Sequence, residues 1–89
     1  MTKKQMHREI NQLFYQYMNE NFPQYMEDSD EMGGRINFQN TEISGGSNFI
    51  EYHKSQHTVC CLNWADDEVK EDCLKIEMFL SDIVRLYNL

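Results

Sequence analysis

Between residues 3 and 20, Met6, Ile10, Leu13, Phe14 and Tyr17 recur at spacings of three and four, which puts them on one face of a helix. Thr2 and Gln5 have the T-x-x-Q spacing of a capping box, in which each side chain satisfies a free amide at the helix start. Lys3 and Lys4 oppose this start, because they add positive charge at the positive end of the helix dipole. Phe22 precedes Pro23, and a residue before proline disfavours helical geometry, so the helix is predicted to stop by about residue 21. Residues 23–34 read as a loop: Tyr25 and Met26 can fold back on a core, whereas Glu27, Asp28, Asp30 and Glu31 cannot be buried unpaired. Gly33-Gly34 permits a sharp change of direction.

The middle of the chain carries the period of strands. Ile36 and Phe38 share a face in a strand over residues 35–43; Ile43 has the opposite parity, which implies a bulge near Gln39-Asn40 or an early end. Gly45-Gly46 between Ser44 and Ser47 signals a hairpin turn. Residues 48–54 form a second strand, and Ser55-Gln56 a second turn. Residues 58–63 are predicted to form a third strand, in which Val59-Cys60-Cys61-Leu62 is apolar on both faces, as a strand covered above and below, or one between partners, would be. From about residue 66 to 87, Val69, Cys73, Ile76, Leu80, Ile83, Val84 and Tyr87 form an apolar helical stripe that Leu74 and Phe79 widen. Glu71–Lys75 and Asp82–Arg85 have the spacing of surface ion pairs. The predicted fold is therefore α+β: an N-terminal helix, a three-stranded antiparallel meander and a long C-terminal helix, with both helices on one sheet face.

Composition narrows the class. Eighty-nine residues make a single domain, 1–89, and 40% apolar residues with one proline argue against disorder. No apolar run reaches the roughly 18 residues of a membrane span. The basic start, Met1 to His7, is not followed by the apolar core of a secretory signal, so the expected compartment is the cytoplasm. Three cysteines, Cys60, Cys61 and Cys73, are an odd number for a disulfide scaffold and read as reduced thiols.

The net charge of −7 is unevenly spread: residues 1–26 carry three basic and two acidic groups, residues 27–51 one basic and six acidic, and residues 52–89 four basic and seven acidic. Such a chain repels nucleic acid and anionic membrane and attracts basic protein surfaces. Two acidic clusters are candidate partner-binding sites. In the first, Glu27, Asp28, Asp30 and Glu31, the start resembles a calcium loop, but Met32 and Gln39 stand where ligands are needed. The second is Asp66, Asp67 and Glu68 with Glu71 and Asp72. Only the first turn of a helix gains from the dipole, so Glu71 and Asp72 exceed what capping requires. Side chains three or four apart on a helix stand about 5–6 Å apart, the order of the phosphate spacing along a DNA strand. Each cluster also has the plainer reading of a solvated, solubilising surface.

His53, His57, Cys60 and Cys61 form a third group. His57-x-x-Cys60 lacks the second pair of a zinc site, and adjacent cysteines in a strand point to opposite faces, so core thiols are the better reading. No phosphate-binding, nucleophile-elbow or metalloprotease motif is present, and neither a cofactor nor a metal is expected. The aromatics have no accompanying basic groove, so they read as core or interface anchors and not as base-stacking platforms. In size and charge, though not in motif, the chain resembles small acidic proteins of phages and mobile elements, including inhibitors of host defence nucleases. That likeness implies a non-enzymatic inhibitor or adaptor that occupies a basic, nucleic-acid-binding surface of a partner protein. The alternative is a homodimeric assembly module joined through an uncovered strand face or edge. A third reading is a small enzyme using Cys60 or Cys61 with His53 or His57.

Overall fold

A computed structural model describes residues 1–26, 29–38, 50–61 and 67–88, the side chain of Glu68 excepted. It shows an α+β domain: helix α1 (Lys3–Asn21), a single 3-10 turn (Pro23–Tyr25), strands β1 (Asp30–Met32), β2 (Arg35–Phe38), β3 (Ile50–His53) and β4 (Thr58–Cys61), and helix α2 (Asp67–Leu86). The strands run antiparallel in sheet order β1-β2-β3-β4. The expected bulge near residues 39 and 40 and the hairpin turn at Gly45-Gly46 lie outside the described residues.

The start of α1 is held as its sequence requires. The Gln5 amide donates to Thr2 Oγ1 at 3.2 Å, and the Thr2 amide donates to Gln5 Oε1 at 2.8 Å. The helix ends at Asn21, where Phe22 before proline leaves helical geometry with φ −135° and ψ 51°. Its buried line is Ile10, Phe14 and Met18, an i, i+4 ladder turned slightly from the predicted stripe, so that Leu13 lies partly exposed. In α2 the buried line is Val69, Cys73, Ile76, Leu80 and Ile83. Leu74 does not widen that stripe: it is 60% exposed on the opposite side of the helix.

Beyond the expected three strands there is a fourth. Asp30-Glu31-Met32 is not loop but β1, paired to β2 through a two-residue connection at Gly33-Gly34. Gly33 has φ +62°, a conformation that side chains rarely tolerate and that two-residue hairpins exploit. All three β1 residues are exposed, so backbone pairing and not apolar alternation makes this strand.

Both helices cover one face of the sheet. Ile36, Phe38, Ile50 and Tyr52 are buried under them, and Val59 and Cys61 pack at the core's margin. Phe14 of α1 lies 4.0 Å from the Tyr52 ring and 5.8 Å from Phe38, between centroids. Tyr17 of α1 stacks on Phe79 of α2 at 3.7 Å. The other face carries the opposite-parity residues Arg35, Asn37, Glu51, His53, Thr58 and Cys60. Among the described residues nothing buries Cys60, so β4 is not covered on both sides as its apolar run implied. Among the described residues no helix is long and apolar enough to cross a membrane.

Candidate functional site

The acidic residues fall into two groups that the sheet separates. Asp30 and Glu31 lie on β1, at one edge; α2, with Asp67, Glu71 and Asp72, packs over β4 at the other. Three strand spacings of about 4.8 Å stand between those edges. Glu27, Asp28 and Asp66 lie outside the described residues, as does the Glu68 side chain. Of the β1 pair, Asp30 accepts a hydrogen bond from the Asn37 amide at 2.9 Å, and Glu31 forms a salt bridge with Lys54. Asp72 is half-buried and accepts from the Tyr25 hydroxyl at 2.7 Å, tying α2 to the 3-10 turn. Asp72 is therefore engaged in holding the fold, whereas Asp30 and Glu31 have polar partners at the surface.

Asp67 and Glu71 differ. They are exposed, lie one turn apart on the outward ridge of α2, and have no ion pair among the described residues, where the salt bridges are Arg35–Glu51 and Lys54–Glu31. The Glu71–Lys75 and Asp82–Arg85 spacings form no bridge. Leu74 and Met78 continue the same ridge at 60% and 67% exposure, and exposed Asp82 follows them. The ridge thus combines carboxylates that form no salt bridge among the described residues with an apolar pair, and the core side of α2 lies behind it.

The thiols and histidines part company. Cys60 is exposed on the open sheet face, whereas Cys61 faces inward to Cys73 of α2. The Cys61 thiol donates to Cys73, and this bond together with burial pushes the Cys61 pKa well up, away from nucleophilic thiolate. Neither His53 nor His57 hydrogen-bonds a cysteine among the described residues. Within the same set, no three His, Cys, Asp or Glu side chains cluster as metal ligands.

His57 instead belongs to a chain of polar groups that local spacing does not reveal. It ends the four-residue connection between β3 and β4, at φ +53°, a left-handed conformation for which histidine is among the more tolerant residues. Its amide donates to the His53 carbonyl at 2.8 Å, and its ring turns inward beneath α1, 6% exposed. There Nδ1 lies 3.0 Å from the Tyr52 hydroxyl, and Nε2 lies 2.5 Å from Nδ1 of His7. The two imidazole planes are within 12°, with centroids 4.7 Å apart. That is the edge-to-edge arrangement in which a ring N–H points at a ring lone pair. The Tyr52 hydroxyl donates to Asn11 Oδ1 at 2.5 Å. Burial, and then the neighbouring His7, hold the His57 pKa below its ordinary value, while burial raises that of Tyr52.

Above this chain, α1 and the sheet edge border two adjoining, widely open depressions of about 510 and 540 Å³. Asn11 and Lys54 line both; Arg8, Tyr15 and Glu31 line one, and Lys4, His7 and the Gly33-Gly34 turn line the other.

Fold and surface together define a class: a small α+β domain with an open sheet face, an acidic helix ridge and a separate basic cleft. No protein-family model, curated protein or solved structure matches the chain.

Proposed function

We propose that the protein is a non-enzymatic binding protein, an inhibitor or adaptor, that places its acidic surface on a basic, nucleic-acid-binding surface of a partner protein. The observation that carries this reading is the outward ridge of α2, where exposed Asp67 and Glu71 form no salt bridge among the described residues and run into exposed Leu74 and Met78. Carboxylates one turn apart offer a basic groove charge at intervals of about 5–6 Å, and the apolar pair supplies the desolvated centre that docking sites need. The chain's net charge of −7 adds long-range attraction toward such a groove. An inhibitor of this kind, directed at a nuclease of host defence, suits the size and charge of the chain.

A homodimer through the open sheet face has less support, because that face presents Arg35, Asn37, Glu51, His53, Thr58 and Cys60 and not an apolar patch. An enzyme built on Cys61 has less support because burial and hydrogen bonding hold its thiol protonated.

The test is a double charge reversal, Asp67→Lys with Glu71→Lys, alongside Leu74→Ala with Met78→Ala. Partners captured from the native host are compared at low and high salt and challenged with duplex DNA. The expected result is a nucleic-acid-binding partner that the reversal loses at least tenfold and that DNA displaces. Equal capture by the wild type and by the reversed, folded variant would refute the reading.

A further inference from the structure

The basic cleft is independent of the α2 ridge, and its chemistry is opposite to that of the chain as a whole. Lys4 and Arg8 come from the first turns of α1 and Lys54 from the start of the connection between β3 and β4; Glu31 of β1 is the facing carboxylate, bridged to Lys54. His7 stands among them, with its Nδ1 committed to His57.

The hydrogen-bond chain decides what His7 offers to the cleft. Asn11 Oδ1 can only accept, so the Tyr52 hydroxyl donates to it. That oxygen then accepts from His57, which must carry its proton on Nδ1. His57 Nε2 is left with a lone pair, so His7 donates to it through Nδ1. Neutral His7 therefore keeps its lone pair on Nε2, the ring nitrogen that makes no hydrogen bond among the described residues. A hydrogen bond accepted at that nitrogen leaves the chain behind it undisturbed. A phosphate or similar oxyanion accepts charge-assisted hydrogen bonds from Lys4 and Lys54, and the O–H of its monoanion donates to His7 Nε2. Tyr15, about half exposed, and Ile36 line the adjoining depression, where a ring would find an apolar wall.

We propose that this cleft binds a small organic phosphomonoester, its phosphate between Lys4, His7 and Lys54 and its ring body along Arg8, Gln12 and Tyr15. His7 meets the phosphate through Nε2, because its Nδ1 is committed to His57.

Adenosine monophosphate is the probe, with inorganic phosphate and adenosine as separate arms, followed by amide chemical shifts and calorimetry at pH 6. The expected result is saturable binding of the monophosphate, with shifts confined to residues lining the cleft. Lys54→Ala should weaken it about tenfold. The reading falls if the monophosphate does not saturate, if adenosine binds as well as it does, or if phosphate alone matches it. It also falls if folded Lys54→Ala binds like the wild type. A direct check is independent of any ligand: nitrogen shifts of the imidazoles should report Nδ1–H in both His7 and His57, and the opposite tautomer in His7 would overturn the role given to it.

Discussion

Two residues far apart in sequence, His7 and His57, share one hydrogen bond in which only one proton lies between the rings. Burial and then the neighbouring His7 lower the His57 pKa, so the folded protein resists protonating that ring more than the unfolded chain does. The sign of the linkage follows. Above the ordinary imidazole pKa of about 6.5 both states are neutral at this position, and the stabilisation from the buried ring is present in full. As pH falls from there through the folded value, the unfolded chain binds a proton that the native state refuses, and that stabilisation is lost. His57→Asn removes the titrating group and keeps a residue that tolerates the left-handed φ of +53°. The stability difference between wild type and His57→Asn, measured by denaturant unfolding at several pH values, should be largest near pH 8 and shrink toward pH 5. A constant difference would mean that the ring titrates as freely as in the unfolded chain.

At the scale of elements, α2 shows how far apolar periodicity reaches. Its inner line follows from spacing alone, because a 3.6-residue period leaves one way to bury Val69, Cys73, Ile76, Leu80 and Ile83 together. Leu74 has the right chemistry but lies on the far side of the helix, and hydrophobicity alone does not distinguish it. Ile76→Ala should therefore cost about 2–5 kcal/mol, whereas Leu74→Ala should stay within about 0.5 kcal/mol; urea unfolding of both variants checks the pair. β1 escaped the sequence reading for a different reason. Asp30-Glu31-Met32 has no alternation because neither of its faces is buried, and the one signal for it was the two-residue spacing of Gly33-Gly34 ahead of a strand. The capping box and the proline stop of α1 were legible because both act within a few residues. The basic cleft was not: residues 7, 8, 11 and 54 meet only after α1 settles on the sheet, and no local spacing encodes that contact.

For the molecule as a whole, the distribution of charge makes stability and binding respond to salt in opposite directions. The chain carries −7, and the salt bridges among the described residues, Arg35–Glu51 at 3.7 Å and Lys54–Glu31, are partly solvated pairs of small value. The residual interaction among the carboxylates is repulsive, and it acts over a screening length of about 30 Å at 0.01 M salt but only about 10 Å at 0.1 M. Sodium chloride over that interval should therefore raise Tm by a few degrees, because screening relieves repulsion that is strongest in the compact state. A surface on which every carboxylate had its own cation would lose attraction instead, and its Tm would stay level or fall. The proposed docking of the α2 ridge on a basic partner should weaken over the same interval, since attraction between two molecules is screened along with repulsion within one. Measured together by thermal melts and titration of a captured partner, the two slopes test one cause. Weaker binding at a salt concentration where the fold is more stable cannot come from unfolding. A Tm that falls with salt would show that the acidic side chains are neutralised within the domain, and it would remove the surplus charge on which docking depends.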